Sequence, residues 1–460
     1  MAAAGSVEGS GGGLLARMSP YQYAVVALCC LCNLADGFDV ASLALVAPVL
    51  SKDWGIDPAV LGVIFTASSV GLAVGAFTIA PLADRFGRRP LMLGAIATLA
   101  VTMILSGLAT SVTQLLVLRL IAGLGLGTLV VCLNTTVAEF SSDEKRNVSM
   151  AFLHVGFSLG SMSASAFTVV ALTYLSWHSV FFAAGALNAL TFVLSLFLLG
   201  ESPRFLAKRR APGDLERYNR LLGRMGVAPV DALPQQDAAA QGRGGFRAIL
   251  DPVKRSETLL VWLTAFAYSI VGYFLMNWKP TIMANAGMSA QMAAASVLVS
   301  GVFGILGHLA MGVFARRAGE RRLTAVFFLC AAVTLVIFGV MPAMPIPLIL
   351  VASFTNFFVV GAYTGLFLVA VVMYPPATQN TGLGFIVGFV RVGAAIGPMI
   401  GGFLLSAGLG RMDVYAVFSA IALVPAVTMF LAMRIAARRP LAGTSPASAG
   451  PPRESASQAV

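Results

Sequence analysis

The chain has 460 residues, of which 58% are hydrophobic and 11% charged, with a net charge of +11 and a mean hydropathy of +0.87. Soluble proteins carry about 25% charged residues, so this composition excludes a soluble globular domain and makes the lipid bilayer the solvent of most of the chain. The placement of the positive charge, described below, also excludes a nucleic-acid-binding surface as its reason.

Apolar segments long enough to cross a bilayer, about 20 residues each, recur twelve times along the chain. We therefore predict an all-α membrane protein. Its spans are predicted at 21–50, 58–82, 91–110, 113–137, 148–172, 178–199, 258–282, 291–314, 323–342, 346–372, 382–406 and 412–434. The first span is long enough to include a kink or an extramembrane turn. These spans form two six-helix bundles, 21–199 and 258–434, with disordered cytoplasmic tails at 1–20 and 435–460 and a cytoplasmic linker at 200–257 with room for one surface helix.

Lysine and arginine are distributed unevenly between the two sides of these predicted spans. The tails, the central linker and the loops that follow even-numbered spans hold 25 of the 30 residues. Three lie near loops of the other side (Lys52, Lys279 and Arg411). Because cytoplasmic loops carry the excess of positive charge, this asymmetry predicts that both termini are cytoplasmic. The basic charge is then a property of membrane topology.

Two similar loops indicate an internal duplication. The loop after the second span reads APLADRFGRRP from Ala80, and the loop after the eighth reads GVFARRAGERR from Gly312, an offset of 232 residues. Six spans repeated twice is typical of secondary transporters that hold substrate near the bilayer midplane, between the two halves. A channel or receptor would not need this repeat.

No sequence pattern indicates an enzyme, a metal site or a cofactor. HExxH and Walker motifs are absent from the sequence. The cysteines lie within apolar spans and lack zinc-ligand spacing, so we interpret them as small apolar residues of helices. They are Cys29, Cys30, Cys32, Cys132 and Cys330.

Two aspartates interrupt the first span, in the stretch NLADGFDVASL that starts at Asn33. A charged residue at the centre of a membrane helix costs roughly 2.5–3.5 kcal/mol, so its presence suggests a function. Asp36 and Asp39 share one helix face and should resist being ionised together, which would suit proton coupling. The alternative is that both only form hydrogen bonds with neighbouring helices or lie in the outer vestibule. Gly37 between them allows a bend or a close backbone approach.

Arg391 lies about ten residues, or roughly 15 Å, inside the eleventh span. A guanidinium cannot be neutralised by losing its proton, so it needs an anion, and a planar carboxylate fits it through two hydrogen bonds. We predict that Arg391 binds the carboxylate of a substrate. A permanent salt bridge to Asp36 or Asp39 is the alternative, and the two coexist if substrate displaces an aspartate.

A compact group of charges follows the second and fourth spans. We interpret it as a latch that holds the halves closed on the cytoplasmic side. The alternative is that its arginines only anchor the topology, which would not require the two acids. The predicted gate residues are Asp84, Arg85, Gly87, Arg88, Arg89 and Glu139. The second copy, with Arg316, Arg317, Arg321 and only Glu320 nearby, is expected to be mainly an anchor.

Aromatic and histidine side chains of the spans are further candidates for contact with substrate. An aromatic ligand needs apolar walls and stacking partners, although packing between helices is the more ordinary role of such residues. The candidates are Phe38, Trp278, Tyr363, Phe385 and Phe389. His154 and His308 could bind substrate or relay protons, or form hydrogen bonds between helices.

Several motifs resemble the major facilitator superfamily over residues 20–435. APLADRFGRR from Ala80 resembles its G-x-x-x-D-R-x-G-R-R loop with Ala at the first position, and ESPR from Glu201 resembles the motif that closes its first half. Arg119 begins a match to R-x-x-x-G-x-G-x-G, completed by Gly123, Gly125 and Gly127. The resemblance implies that Arg119 serves proton movement or helix packing, and the glycines suit close helix contact.

Within that superfamily the chain resembles the aromatic acid:proton symporter family. The matching stretches are DGFD from Asp36, NWKP from Asn277, AGMS from Ala286 and RVGAAIGP from Arg391. The resemblance implies proton-coupled uptake of benzoate-like acids across a bacterial inner membrane, with the aspartates needed for transport. Transport or exchange of another organic anion and drug/proton antiport are the alternatives. Nothing in the sequence requires more than a monomer.

Overall fold

Twelve long apolar helices form the computed structural model, which describes residues 18–142, 144–234, 249–250, 255–374 and 376–437. The prediction of an all-α protein with twelve membrane-spanning helices is confirmed. The helices are α1 Pro20–Trp54, α2 Pro58–Phe86, α3 Arg88–Gly107, α4 Val112–Phe140, α5 Arg146–Tyr174, α6 His178–Leu198, α7 Arg255–Asn285, α8 Ala290–Ala318, α9 Glu320–Val340, α10 Pro345–Met373, α11 Pro376–Ser406 and α12 Arg411–Ala437. Most of the predicted tails at 1–20 and 435–460 lies outside the described residues.

The first helix is continuous over its 35 residues and contains no extramembrane turn. Ser19 caps its start, because the hydroxyl accepts from the Gln22 amide while the Gln22 side chain accepts from the Ser19 amide. Its end is fixed by Gly55, whose φ of 62° is a left-handed conformation that glycine adopts without strain. Pro48 lies inside the helix.

The two halves have the same internal packing. In the first half α1 packs on α5, α2 on α4 and α3 on α6; in the second, α7 packs on α11, α8 on α10 and α9 on α12. The halves meet where α2 packs on α11, α5 on α8 and α1 on α7. This arrangement repeats the six-helix unit that the two similar loops predict.

Contacts between the halves gather at one end of the bundle. We name the end where α1 begins and α12 ends the terminus face, and the other end the opposite face. Trp278 of α7 is fully buried near the opposite face, with its ring 5.4 Å from that of Phe65 on α2. Hydrogen bonds joining the halves there include Thr66 Oγ1 to the Ala395 carbonyl at 2.9 Å, Ser165 Oγ to the Ala294 carbonyl at 2.6 Å and Ser406 Oγ to Asp57 Oδ1 at 2.8 Å.

Two glycines bring α1 and α5 into backbone contact around Asp36. A Cβ on Gly37 would lie 2.1 Å from the Phe157 carbonyl oxygen, and one on Gly160 would lie 1.9 Å from the Leu34 carbonyl oxygen. No side chain fits at either position, so glycine fixes the distance between the two helices. Of the two roles that the sequence allows for Gly37, the structure shows the close approach.

The linker contains two described helices, Pro203–Arg209 and Asp214–Arg224, one more than its sequence predicts. Leu221 of the second packs in the cluster that also holds Met18, ahead of α1. The guanidinium of Arg209 binds the buried carboxylate of Asp214. This hydrogen bond holds the pKa of Asp214 below its ordinary value.

Candidate functional site

Asp36 and Asp39 lie near the middle of α1 and are each 2% exposed. The side-chain amide of Asn188 on α6 donates to Asp39 Oδ2 at 2.8 Å. The other oxygen of Asp39, and Oδ1 of Asp36, have no hydrogen-bond partner among the described residues. Burying an ionised carboxylate is unfavourable unless it is paired, so both groups suit a site where protons bind and leave.

Arg119 of α4 is buried beside these acids and is 3% exposed. It donates to Ser106 Oγ at 2.7 Å and to Met103 Sδ at 2.8 Å, and its guanidinium lies 5.3 Å from the Phe181 ring centre. It is close enough to interact electrostatically with Asp39, but no ion pair within 4.0 Å joins these two described residues. The arrangement provides positive charge near Asp39 without neutralising it directly.

Arg391 lies in the middle of α11 and is half-buried. Its Nη1 donates to the Tyr273 hydroxyl at 3.2 Å, and its buried Nε has no hydrogen-bond partner in the described part of the chain. Arg391 interacts electrostatically with Asp36, yet the described residues show no ion pair within 4.0 Å between it and either aspartate. The permanent salt bridge considered from the sequence is absent from this conformation, so the guanidinium keeps donors for an anion.

A small cavity of about 40 Å³ lies between the halves near these charges. The first half contributes Asp39 and Arg119, and the second half contributes Tyr273 and Asn277. Tyr273 therefore borders this cavity and also contacts Arg391. The cavity exceeds the roughly 10–15 Å³ that a water molecule needs, so a proton or a small polar group has room there.

The aromatic candidates occupy three different environments. Phe38 is 6% exposed and packs on Phe167. Trp278 donates to the Pro398 carbonyl at 2.8 Å within the closed opposite face. Tyr363 is half-buried on α10, stacks on Tyr268 and interacts electrostatically with Arg391. Of these three candidates, Tyr363 is the one that interacts with the Arg391 guanidinium in this conformation, while Phe38 and Trp278 contribute to packing.

The two other aromatic candidates, Phe385 and Phe389, are half-buried on α11 and stack on Trp262 of α7, with ring centres 5.0 and 5.2 Å away. They line the contact between these two helices on the side of the terminus face. Each leaves part of its ring uncovered, so either a packing role or contact with a ligand is compatible with their positions.

His154 and His308 lie opposite each other, on α5 and α8. The neighbouring contacts fix this register, because Met162 of α5 touches Gly301 of α8 nearer the opposite face. His154 is exposed, whereas His308 is half-buried and its Nδ1 is hydrogen-bonded to Thr364 Oγ1. Among the described residues no group of three or more His, Cys, Asp or Glu could hold a metal ion.

Three of the predicted gate residues, Arg88, Arg89 and Glu139, belong to a network inside the first half. Arg88 pairs with Glu139 at 2.6 Å, and Ser202 Oγ donates to Glu139 at 2.5 Å. Glu201 accepts from the backbone amide of Arg88 at 2.9 Å and of Arg89 at 3.3 Å. These contacts join the start of α3, the end of α4 and the segment after α6, so they do not bridge the halves in this conformation.

The three other gate candidates are on the surface or at a turn. Asp84 and Arg85 are exposed, and no ion pair joins Asp84 to another described residue. Gly87 has a φ of 99°, a conformation that favours glycine, and a Cβ there would lie 2.4 Å from Glu201 Oε2. In the second half, Arg321 pairs with the fully buried Glu257 at 2.5 Å, a partner that does not follow from the sequence.

Three polar residues of the site were missed from the sequence alone. Asn188 and Tyr273 are uncharged residues in apolar spans and gave no signal as strong as an intramembrane charge. Glu201 was noticed as part of ESPR, but its role as an acceptor for the start of α3 was not predicted. One sequence signal could have indicated Asn188 and Tyr273. Each is a neutral polar residue on the helix face that packs against α1 or α11, the helices that carry the intramembrane charges.

Comparison with known proteins agrees with this architecture. The family model described as Major Facilitator Superfamily matches residues 29–376. A gallate transporter of Pseudomonas putida is 32% identical over 85% of this chain and 88% of its own, and the 4-hydroxybenzoate transporter PcaK of Pseudomonas aeruginosa is 31% identical with the same coverage.

The fold is shared with a bacterial homologue of the human lysosomal transporter Spinster. That crystal structure, in an inward-facing and unoccupied conformation, superimposes with a TM-score of 0.67 at 17% identity, covering 90% of this chain and 98% of that one. Since the family model covers most of the sequence, the chain belongs to the Major Facilitator Superfamily and is a membrane transport protein, not an enzyme.

Proposed function

We propose that this protein takes up a small aromatic carboxylate of the benzoate or hydroxybenzoate type together with protons, by alternating access. The observation that carries the proposal is Arg391, a guanidinium at mid-membrane whose Nε lacks a hydrogen-bond partner among the described residues and which has no ion pair with Asp36 or Asp39. Curated relatives named for gallate and 4-hydroxybenzoate support the substrate class.

Arg391 is the proposed contact for the substrate carboxylate. The planar fork of a guanidinium matches a carboxylate through two parallel hydrogen bonds, which gives orientation as well as affinity. Tyr363, which interacts with Arg391, is the proposed aromatic neighbour of the substrate ring. Phe385, Phe389, His154 and His308 extend this surface toward the terminus face, whereas Phe38 and Trp278 are proposed to act through packing.

Asp36 and Asp39 are the proposed proton carriers. Both are buried with an unpartnered oxygen among the described residues, so each is more stable with a proton than as an isolated anion. Arg119 would lower the cost of ionising Asp39, with which it interacts. Proton binding and release at this pair, combined with carboxylate binding at Arg391, would make uptake follow the proton gradient.

The terminus face is the proposed cytoplasmic side, because the loops and linker on that side carry most of the lysine and arginine. Closure of the opposite face by Trp278 and its neighbours then corresponds to an inward-facing state. We propose that Asp84 and Arg85, exposed here, reach the second half when the cytoplasmic side closes. The network of Arg88, Arg89, Gly87 and Glu139 would hold that loop in place.

Uptake of labelled 4-hydroxybenzoate into proteoliposomes tests this proposal, with an inward proton gradient imposed or omitted. Competitors are benzoate, gentisate, hydroxyphenylpropionate and a non-aromatic carboxylate. We expect gradient-driven uptake, competition by aromatic acids and loss of uptake in Arg391→Lys, because an ammonium cannot reproduce the two-pronged contact. The matched control is Arg411→Lys at the start of α12. Wild-type uptake by Arg391→Lys would contradict the proposal, and competition by the non-aromatic acid alone would indicate another organic anion.

A further inference from the structure

Tyr273 lies between the two charged groups of the proposed mechanism. Its hydroxyl accepts a hydrogen bond from Arg391 at 3.2 Å, and the residue borders the 40 Å³ cavity together with Asp39 and Arg119. Tyr273 belongs to α7 of the second half, whereas Asp39 and Arg119 belong to the first. Tyr273 therefore contacts the guanidinium of Arg391 and also borders the cavity that Asp39 lines.

The chemistry of a phenol suits a residue in this place. A guanidinium only donates hydrogen bonds, so the Tyr273 oxygen is the acceptor in its contact with Arg391. Its own O–H is therefore left to donate elsewhere, and Asp39 lines the same cavity, which has room for a bridging water between them. A hydrogen bond to an ionised group is worth about twice a neutral one, so a water that this O–H orients toward Asp39 favours the anionic form of Asp39.

We propose that Tyr273 couples substrate binding to the protonation of Asp39, a role that rests on the proposed function. With the site empty, the phenol accepts from Arg391 and directs its O–H into the cavity, where a bridging water carries the hydrogen bond to Asp39 and stabilises it as an anion. When a substrate carboxylate takes the donors of Arg391, the phenol turns its O–H to that carboxylate. Asp39 then loses a donor and retains its proton, so acid and proton are bound together.

The other charged groups around Asp39 do not explain such coupling by themselves. Asp36 on α1 and Arg119 on α4 belong to the same half as Asp39. Asp36 interacts electrostatically with Arg391, which links substrate binding to Asp36 itself and not to Asp39. Asn188 on α6 is neutral and donates to Asp39 directly. Tyr273 differs because its hydrogen-bond partner is the group that substrate would occupy.

Coupling is reciprocal, so the affinity for the acid must depend on pH if acid binding favours protonation of Asp39. We expect the wild-type protein to bind 4-hydroxybenzoate more weakly at high pH, with a Kd that rises about tenfold from pH 6 to pH 8. This change lies within the usual range of coupling between sites. In Tyr273→Phe we expect weaker binding at pH 6 and less than about a threefold change across the same interval.

The experiment measures that Kd by equilibrium binding to purified full-length protein at several pH values, with thermal unfolding as the check on folding. Tyr268→Phe is the matched control, because Tyr268 is a half-buried phenol of the same helix that stacks on Tyr363 and does not border the cavity. We expect Tyr268→Phe to keep the pH dependence of the wild-type protein.

A wild-type pH dependence in folded Tyr273→Phe would overturn the role of Tyr273 while leaving proton coupling intact. An equal flattening in Tyr268→Phe would also overturn it, because the effect would then not belong to the hydroxyl at the cavity. If the wild-type Kd does not change with pH, the proposed function itself fails, and this result is distinguishable from the other two. A flat profile confined to Tyr273→Phe supports the proposal.

Discussion

Gly160 allows a direct test of how α5 positions the carboxylates of α1. It packs on the backbone of α1 at Leu34 and Phe38, the two residues that flank Asp36 by two positions on either side. The substitution Gly160→Ala adds one methyl group at this contact. We expect it to displace α1 relative to α5 and so to shift Asp36 relative to Arg391.

The size of the displacement follows from the backbone geometry. A Cβ at Gly160 would lie 1.9 Å from the Leu34 carbonyl oxygen and 2.9 Å from the Phe38 amide nitrogen, whereas ordinary contact begins at 3.4 Å. Backbone atoms cannot rotate away as a side chain could, so the helices must separate by about 1.5 Å, the difference between 3.4 and 1.9 Å. Overpacking of this kind costs about 1–3 kcal/mol, and a misplacement of about 1 Å can lower a rate by roughly 100-fold.

The assay combines thermal unfolding of the purified protein with initial uptake rates in proteoliposomes. Gly94→Ala in α3 is the matched control, because nothing lies within 4 Å of a Cβ at that position. We expect Gly160→Ala to unfold several degrees lower and to lose most of its uptake, while Gly94→Ala matches the wild-type protein. Equal stability and uptake in the two variants would refute the reasoning.

Three further predictions concern other parts of the molecule. Glu201→Gln weakens three hydrogen bonds from backbone amides, so its unfolding temperature should fall by an amount equivalent to about 2 kcal/mol, whereas the exposed Asp84→Asn should leave it unchanged; equal values would contradict this. Because Arg209 lowers the pKa of Asp214, their pair stabilises the linker at neutral pH and this contribution fades below about pH 4. Limited proteolysis should then show several-fold faster linker cleavage in Asp214→Asn than in wild type at pH 7, with a difference that shrinks as the pH falls below about 4 and through the lowered pKa of Asp214, and equal rates at pH 7 would count against the pair. Trp278→Ala removes a fully buried ring worth about 3–5 kcal/mol, so hydrogen exchange should rise in α2 and α11 at the opposite face, and unchanged exchange there would show that the ring does not hold that face closed.

The membrane architecture was predictable because the bilayer imposes a strict rule on the sequence. Each span must be long and apolar, so hydropathy located all twelve helices to within several residues at most ends. The same rule makes an intramembrane charge conspicuous, which is why Asp36, Asp39 and Arg391 were identified before the structure. Lys279 shows where the assignment of charges to loops fails. The sequence places it near a loop, whereas in the structure it lies within α7 and is only 8% exposed.

The contacts of the site were less predictable, because they depend on how helices far apart in sequence are rotated. Asn188 and Tyr273 are neutral, so hydropathy does not distinguish them from polar residues whose side chains form hydrogen bonds only within their own helix. Trp278 was a candidate for the substrate site, but its position on α7 directs it to Pro398 and Phe65 near the opposite face. The salt bridge of Arg391 to an aspartate was plausible from charge alone, and the structure pairs Arg391 with Tyr273 instead.

The measurement that tests the central claim most directly is proton movement during substrate uptake. Proteoliposomes containing a trapped pH indicator receive 4-hydroxybenzoate at pH 7.5 without any imposed gradient, with protein-free liposomes as the control for diffusion of the uncharged acid. The account predicts acidification of the lumen together with substrate entry in the wild-type protein, and its loss in Asp36→Asn and Asp39→Asn. Substrate entry by the wild-type protein with no proton movement above the control would contradict it.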